Sequence, residues 1–580
     1  MDPEVKQDTD KPEPFELTSA RFGALPVVNH FLDRAGLPAL LDRYLPVRDA
    51  RVHLSGAAAI RLAVTNLLLG RSPLYALAEW AAPYAPGLLG LTSLELAGVN
   101  DDRVARALDE VFDADRGSLL TELMLAVIAE FGIDTSELHN DSTSITLHGA
   151  HADADGSPVR GKPTVAASHG HSKDHRPDLK QLVWILTVAA DGAVPITYRL
   201  ADGNTPDDPT HVPTWDQLAD LLGRTDFLYV ADSKLASTAA MSHLHTRGGR
   251  FITVLPRTRK EDTWFRHWAQ THAPDWTQAA HLPPARAGAP ATVFSVFTSP
   301  LPSAEGHRII WVHSTDKAAR DGATRQRRIE AGTAAIEALA ERLAGPKTRI
   351  KDRPGVIAAA DAALTTTGAA RWVTYTIDEH TTATYRQTKR GRPGPATAYR
   401  RTDTTRFTIT ADIDLDTLAY DATTDGCFPL ITNTTDTDLT ATEVLAAYRY
   451  QPNLERRHHL LKATQHADPV LLRTPARIEA LFCCHFLALL IGALIEREIR
   501  TNMATAALAD IPLYPELRAC PAPSAERIFT TLADLTRHDL HHHGQLVQTF
   551  PIVLTDIQTQ TLNLLGVPTT DYTNPTPSRN

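Results

Sequence analysis

The run FLYVAD at 227–232 constrains the fold most tightly. Five consecutive apolar residues leave no polar face, so such a strand is covered on both sides, as in a sheet with helices above and below it. It ends in Asp232, and in open α/β sheets functional groups collect at the carboxyl ends of strands. Neighbouring segments supply further elements. ELHNDSTSITLHG alternates over its second half, with Thr143, Ile145 and Leu147 on one side. LVWILTVAADGAVPITYRL reads as two strands joined at Asp191-Gly192, a hairpin dipeptide. Helices are expected in the second half of GNTPDDPTHVPTWDQLADLLG and over ASTAAMSHLHTRGG, and a strand over RFITVLP. The class implied is α/β, a mixed sheet with flanking helices.

On the N-terminal side, residues 21–131 carry apolar positions at helical spacing, with Asp101 as the expected N-cap of DDRVARALDEVFDADRGSLLTELMLAVIAEFG. Between 256 and 426 the order of elements breaks down into short strand-like pieces (ATVFSVF, HRIIWVHS, RWVTYTI, TRFTITADI) around one helical stretch near 325–345, the pattern of a β-rich insertion. CFPLITNT then reads as a strand, Thr440 and Glu443 as a capping box, and 474–503 as a long apolar helix. The expected divisions are a disordered acidic tail (1–20), a helical domain (21–131), a first core segment (132–255), the insertion (256–426), a second core segment (427–510) and a C-terminal extension (511–580).

Composition narrows the setting. The run ALFCCHFLALLIGALI at 480–495 is short for a membrane span and contains His485, so a core helix is expected and no membrane partner. The acidic opening MDPEVKQDTDKPEPFE lacks an apolar stretch of signal-peptide type. Cys427, Cys483, Cys484 and Cys520 make no disulfide framework or zinc spacing, and a cytoplasmic setting is expected. The net charge of -10 looks wrong for a nucleic-acid partner, but residues 1–150 hold 22 acidic against 12 basic residues and the remainder holds 46 of each. Basic blocks stand at 317–353, ten against five, and at 386–406, seven against one. A phosphate backbone responds to such local fields rather than to the total.

Three acids form the candidate constellation. Asp141 lies inside a strand on the face of Thr143 and Ile145, where an unpaired acid is costly. Asp232 ends FLYVAD, and Glu455 begins a helix with Lys462 seven residues on, close to two turns. Converging carboxylates repel by about 4 kcal/mol at 4 Å and an effective dielectric near 20, which raised pKa values or divalent cations relieve. Two Mg²⁺ or Mn²⁺ ions in such a set serve phosphodiester cleavage and transesterification. Read singly, an Asp ending a strand is also a cap or turn residue, and a Glu early in a helix also serves the dipole.

The pieces LHNDSTSITLHG, HGHSKDHRPDLKQL, DGAVPITYRLADGNTPD, FLYVADSKLAS, DGCFPLITN and YRYQPNLERRHHLLK, in this order over most of 20–505, resemble a bacterial insertion-sequence transposase of the DDE class, the group with a β-rich insertion in a ribonuclease H-like core. The resemblance implies Asp141, Asp232 and Glu455 as catalytic acids holding two Mg²⁺ or Mn²⁺ ions, and an N-terminal region that helps bind transposon ends. It also implies double-stranded DNA as partner, both terminal inverted repeats and target, and a homodimer that joins two ends. The family's Tyr-x2-Arg-x3-Glu-x6-Lys signature is matched by Tyr448, Glu455 and Lys462, while Gln451 stands in the arginine position and Pro452 interrupts the helix or starts a new one. Glutamine can hydrogen-bond a phosphate but cannot neutralise it. Lys173, Arg176 and Lys180 form a candidate phosphate grip. Arg390 and Arg392 in KRGRPGP resemble the core of an AT-hook, which enters a narrow minor groove.

Other readings compete. A transposase-derived DNA-binding protein with impaired catalysis is left open by Gln451. A hydrolase with a histidine-bound metal would draw on His139, His148, His151, His169, His171 and His175, which cluster without an HExxH pattern. A glycoside hydrolase would use paired acids, but 6% aromatics supplies little for stacking sugars.

Overall fold

The computed structural model describes residues 15–47, 51–284, 286, 288–346, 348–468 and 470–573. Two compact units are present: one runs to Ile252 and resumes at Ala447, the other is Thr253–Ala446.

In the first unit, strand β1 (Glu16–Arg21) precedes a group of helices. The helix Gly56–Leu69 is capped by the Ser55 hydroxyl, which accepts from the Ala58 N–H. The long pattern from 101 divides into Asp101–Asp113 and Arg116–Phe131. Asn100, not Asp101, caps the first, and Asp115 caps the second. Asp101 and Asp102 instead occupy the first turn, where their charge favours the dipole.

The sheet of this unit contains β2 (Glu137–Leu147), β3 (Lys180–Ala189), β4 (Pro195–Asp202), β5 (Leu228–Ala231) and β6 (Arg250–Val254), in the order β4-β3-β2-β5-β6. β2, β3 and β4 pair antiparallel, while β5 runs parallel to β2 and to β6. It is a mixed α/β sheet, and its central strands β2, β3 and β5 are buried nearly throughout. The alternation read in β2 is therefore a pattern of residue type, not of exposure. Gly192 turns the β3–β4 hairpin at φ 76°, and a Cβ there would lie 2.8 Å from the Cβ of Arg497. Arg497 belongs to the helix Pro475–Thr505 and forks onto Asp191 at 2.8 and 2.6 Å.

That helix is the spine of the unit. Its most apolar stretch is 94% buried, and each acid or imidazole it buries has a partner. Glu479 accepts from Arg116, Glu496 from Arg457, and His485 bonds Gln465.

In the second unit, β7 (Thr277–Leu282), β8 (Thr292–Thr298) and β9 (Arg308–Ser314) form a meander. β10 (Val373–Gln387) and β11 (Tyr399–Ile413) make a long hairpin, and β12 (Cys427–Thr432) pairs with β9. The unit is less β-rich than 256–426 was expected to be, because the helices Thr315–Ala344 and Arg353–Thr367 carry its core. Ile329, Ile336, Leu339 and Leu343 pack there with Val356, Ala360, Leu364, Phe407 and Ile409. It is also wider, reaching 446 and so taking CFPLITNT out of the expected second core segment. The capping box forms: Glu443 N–H donates to Thr440 Oγ1, and Thr440 N–H to Glu443 Oε2.

Past Thr505, still within the first unit, come β13 (Thr536–His542) and β14 (Gln545–Phe550), in the order β1-β13-β14. Residues 16–20 are thus strand and not the disordered tail expected over 1–20, because β13 satisfies their backbone groups. The remainder of that tail, 1–14, lies outside the described residues.

Candidate active site

Parallel pairing of β2 and β5 places the first two acids side by side. Asn140 is opposite Ala231, and Asp141 and Asp232 each follow by one residue. β2 stays in unbroken register with β3 from Leu138 to Leu147, so no bulge turns Asp141 off the face of Thr143 and Ile145. Asp232 also caps the turn Ser233–Ala236, with Oδ1 accepting from the Lys234 N–H at 3.0 Å. It keeps 43% side-chain exposure, against 22% for Asp141.

The third acid arrives on the helix Gln451–His459, which holds Pro452 in its first turn and is separate from the helix Ala441–Tyr448. Buried Arg457 fixes this helix. Its guanidinium donates to Glu496 at 2.9 Å and to the carbonyls of Gly192 and Ala193, each at 2.9 Å. Glu455 is on the exposed side. The α geometry ends at His459 in a π turn, Leu460–Thr464. Glu455 and Lys462 therefore do not share the regular α stripe that their spacing predicts.

Electrostatics ties the acids together. Burial pushes the Asp141 carboxyl up to about 6; Lys173 opposes this, and Asp232 and Asp207 add to it. Burial also pushes the Tyr448 phenol up to about 12, and Asp232, Glu455 and Asp141 all contribute. One phenol thus senses all three acids.

Four residues that the sequence did not single out complete the neighbourhood. Asp207 accepts from Ser142 Oγ at 2.5 Å and lies 3.5 Å from Lys173 Nζ. Asp174 receives Lys462 Nζ at 2.6 Å. His458 Nε2 stands 3.7 Å from Asp141 Oδ2, and His211 Nε2 stands 3.8 Å from Asp232 Oδ1. Burial lowers the pKa of both rings, that of His458 to about 3, so they are neutral.

The expected DNA contacts are placed differently from one another. Lys173 Nζ donates to the Ser142 carbonyl at 2.5 Å and stands 3.9 Å from Asp141, so its charge serves the acids first. Gln451 is engaged inside the unit, with Oε1 3.2 Å from His139 Nδ1 and Nε2 donating to the Asn140 carbonyl at 3.5 Å. Arg176 forks onto Asp178, and Lys180 donates to the His151 carbonyl. Arg390 and Arg392 lie in the second unit, exposed in the loop between β10 and β11.

The donor set suits a hard divalent cation: carboxylate oxygens on two neighbouring parallel strands, one inside β2 and one just past the end of β5, with a buried acid whose ionisation a cation would favour. Among the described residues, no three His, Cys, Asp or Glu side chains come close enough to surround one ion. Asp141 and Asp232 are the two candidate acids that the sheet sets side by side, and Glu455 does not join them in a three-residue group. The histidines of 139–175 form no such group either.

Residues 17–125 match a family described as "Domain of unknown function (DUF4277)". No curated protein matches the chain. Among solved structures, the chain is similar to a piggyBac transposase determined by cryo-electron microscopy as a synaptic complex with hairpin DNA. The identity is 7% and the TM-score 0.25, over 83% of this chain and 84% of that one. A likeness this loose leaves fold and function to be argued from the chain itself.

Proposed function

We propose that the chain is a DDE transposase that cleaves DNA at the ends of a mobile element and joins those ends to target DNA. The observation that carries this reading is the placement of Asp141, inside β2, beside Asp232, which follows the parallel strand β5, with Glu455 on the helix whose Gln451 bonds the Asn140 carbonyl. The strand order and directions of β2 to β6 agree with a ribonuclease H-like core, and the ordered sequence pieces resemble the DDE class.

In this reading Asp141, Asp232 and Glu455 would hold two Mg²⁺ or Mn²⁺ ions, which would supply Lewis acidity to the phosphodiester oxygens. The remaining work belongs to the chain. Lys173 balances the charge of Asp141 and Asp207. The Tyr448 phenol stays protonated at neutral pH and can donate to a phosphate oxygen. Water attacks the phosphorus at the element's end, the bond to the 3′ oxygen breaks, and a 3′-hydroxyl and a 5′-phosphate result. That hydroxyl attacks a target phosphodiester and displaces another 3′ oxygen. No protein–DNA bond forms. Two ends must be joined, so a homodimer on DNA is part of the proposal.

The test uses duplex DNA carrying the inverted repeats that flank the coding region, with Mg²⁺ or Mn²⁺. Asp141→Ala, Asp232→Ala and Glu455→Ala are each expected to abolish nicking while end binding persists, because such sets act as units. Full nicking by the Asp232→Ala protein would overturn the assignment.

A further inference from the structure

Two buried imidazoles stand beside the carboxylate pair, one near each acid, and the mechanism above uses neither. His211 opens the helix His211–Leu222, and His458 lies on Gln451–His459. Their side chains are 4% and 8% exposed, and each aims Nε2 at a different acid, at 3.8 Å from Asp232 and 3.7 Å from Asp141. Among the described residues, neither Nε2 has a hydrogen-bond partner. A buried polar nitrogen left without one is costly and calls for an explanation. At His211 the proton can be placed. Its Nδ1 lies 3.2 Å from the buried Tyr229 hydroxyl. When that hydroxyl donates to Nδ1, the ring's one proton sits on Nε2 and faces Asp232.

We propose that His211 and His458 are positioning residues, one beside each acid. Both separations are just beyond hydrogen-bond reach. A turn of each carboxylate on binding a divalent cation would set one oxygen against the neighbouring imidazole Nε2 and the other toward the ion. Tyr229, His211 and Asp232 then form one relay, and His458 and Asp141 a second. Because His458 shares a helix with Glu455, the same shift of that helix toward β2 would engage His458 and bring Glu455 in. This inference rests on the reading of Asp141 and Asp232 as metal-holding residues.

The experiment titrates the full-length protein with Mn²⁺, without DNA, and follows free Mn²⁺ by electron paramagnetic resonance. Glutamine places an amide N–H near the position of Nε2, whereas leucine removes the donor. His211→Gln and His458→Gln are expected to bind Mn²⁺ within a few-fold of the unsubstituted protein. His211→Leu and His458→Leu are expected to bind about 10–100-fold more weakly. Leucine variants that bind normally, or glutamine variants that lose as much as the leucine ones, would overturn the inference. A second measurement needs no leucine variant. In ¹⁵N-histidine-labelled protein, Mg²⁺ should produce two hydrogen-bonded Nε2–H resonances, one missing in each glutamine variant; their failure to appear would also overturn it. Failure of the underlying reading looks different: the unsubstituted protein would bind no Mn²⁺, or Asp141→Asn would bind it undiminished.

Discussion

Arg457 is 3% exposed and Glu496 4%, and the ion pair between them joins the helix bearing Glu455 to the long core helix. Burial pushes the Glu496 carboxyl up, but Arg457, Arg500 and Arg456 outweigh it, and the net shift is downward. Removing Arg457 leaves Glu496 with only the longer contacts to Arg500 at 3.5 Å and Arg456 at 3.9 Å, and takes the donor from the Gly192 and Ala193 carbonyls. Arg457→Met is therefore expected to cost roughly 3–5 kcal/mol, read as a fall in Tm, and Arg457→Met with Glu496→Leu should recover part of it. A double variant no better than the single one would refute this account. His485 makes a pH-dependent case. Burial lowers its pKa to about 3, against 6.5 for the free group. The native state thus binds fewer protons than the unfolded chain, and this stability is whole above pH 6.5 and lost as pH falls toward 3, by up to about 1.4 kcal/mol per unit. His485→Asn keeps a donor for Gln465, so its Tm should depend less on pH between 6.5 and 4 than that of the unsubstituted protein. Parallel Tm curves would contradict this.

The elements differ in how plainly the sequence announced them. FLYVAD, the Asp191-Gly192 hairpin and the apolar core helix were legible because one local feature decided each: a run buried on both faces, a turn dipeptide, and length with hydropathy. The helix Arg353–Thr367 escaped, since its Ala- and Thr-rich sequence buries only Val356, Ala360 and Leu364. β1 escaped because its partner β13 lies at the other end of the chain. In the site, three acids could be named from sequence. His211, His458 and Asp207 could not, because only the sheet register and the packing of two helices bring them to those acids. The Arg390–Arg392 loop remains a direct test of the second unit. If it touches phosphate, neutralising both arginines should flatten the slope of log affinity against log salt by up to about two. If it enters an A·T-rich minor groove, the loss should be larger on A·T-rich DNA than on G·C-rich DNA. An unchanged slope would leave the loop a solvated linker.

For the whole molecule, the chemistry of the donors makes a prediction about metal content. Carboxylate oxygens favour Mg²⁺ and Mn²⁺, so nicking should survive a zinc-selective chelator, and elemental analysis should find no stoichiometric zinc. Stoichiometric zinc whose removal abolished activity would favour a histidine-bound metal instead. The site also imposes an order in time. Gln451 on the third acid's helix bonds the carbonyl of Asn140, 311 residues earlier. At roughly 5–20 residues per second, a ribosome needs on the order of 15–60 s to cover that distance. A growing chain therefore carries Asp141, and soon Asp232, long before the helix of Glu455 and Arg457 has been made. If the three acids cut DNA as proposed, the nascent protein holds only two of them during that interval, and synthesis itself would delay the moment at which the chain becomes able to break DNA.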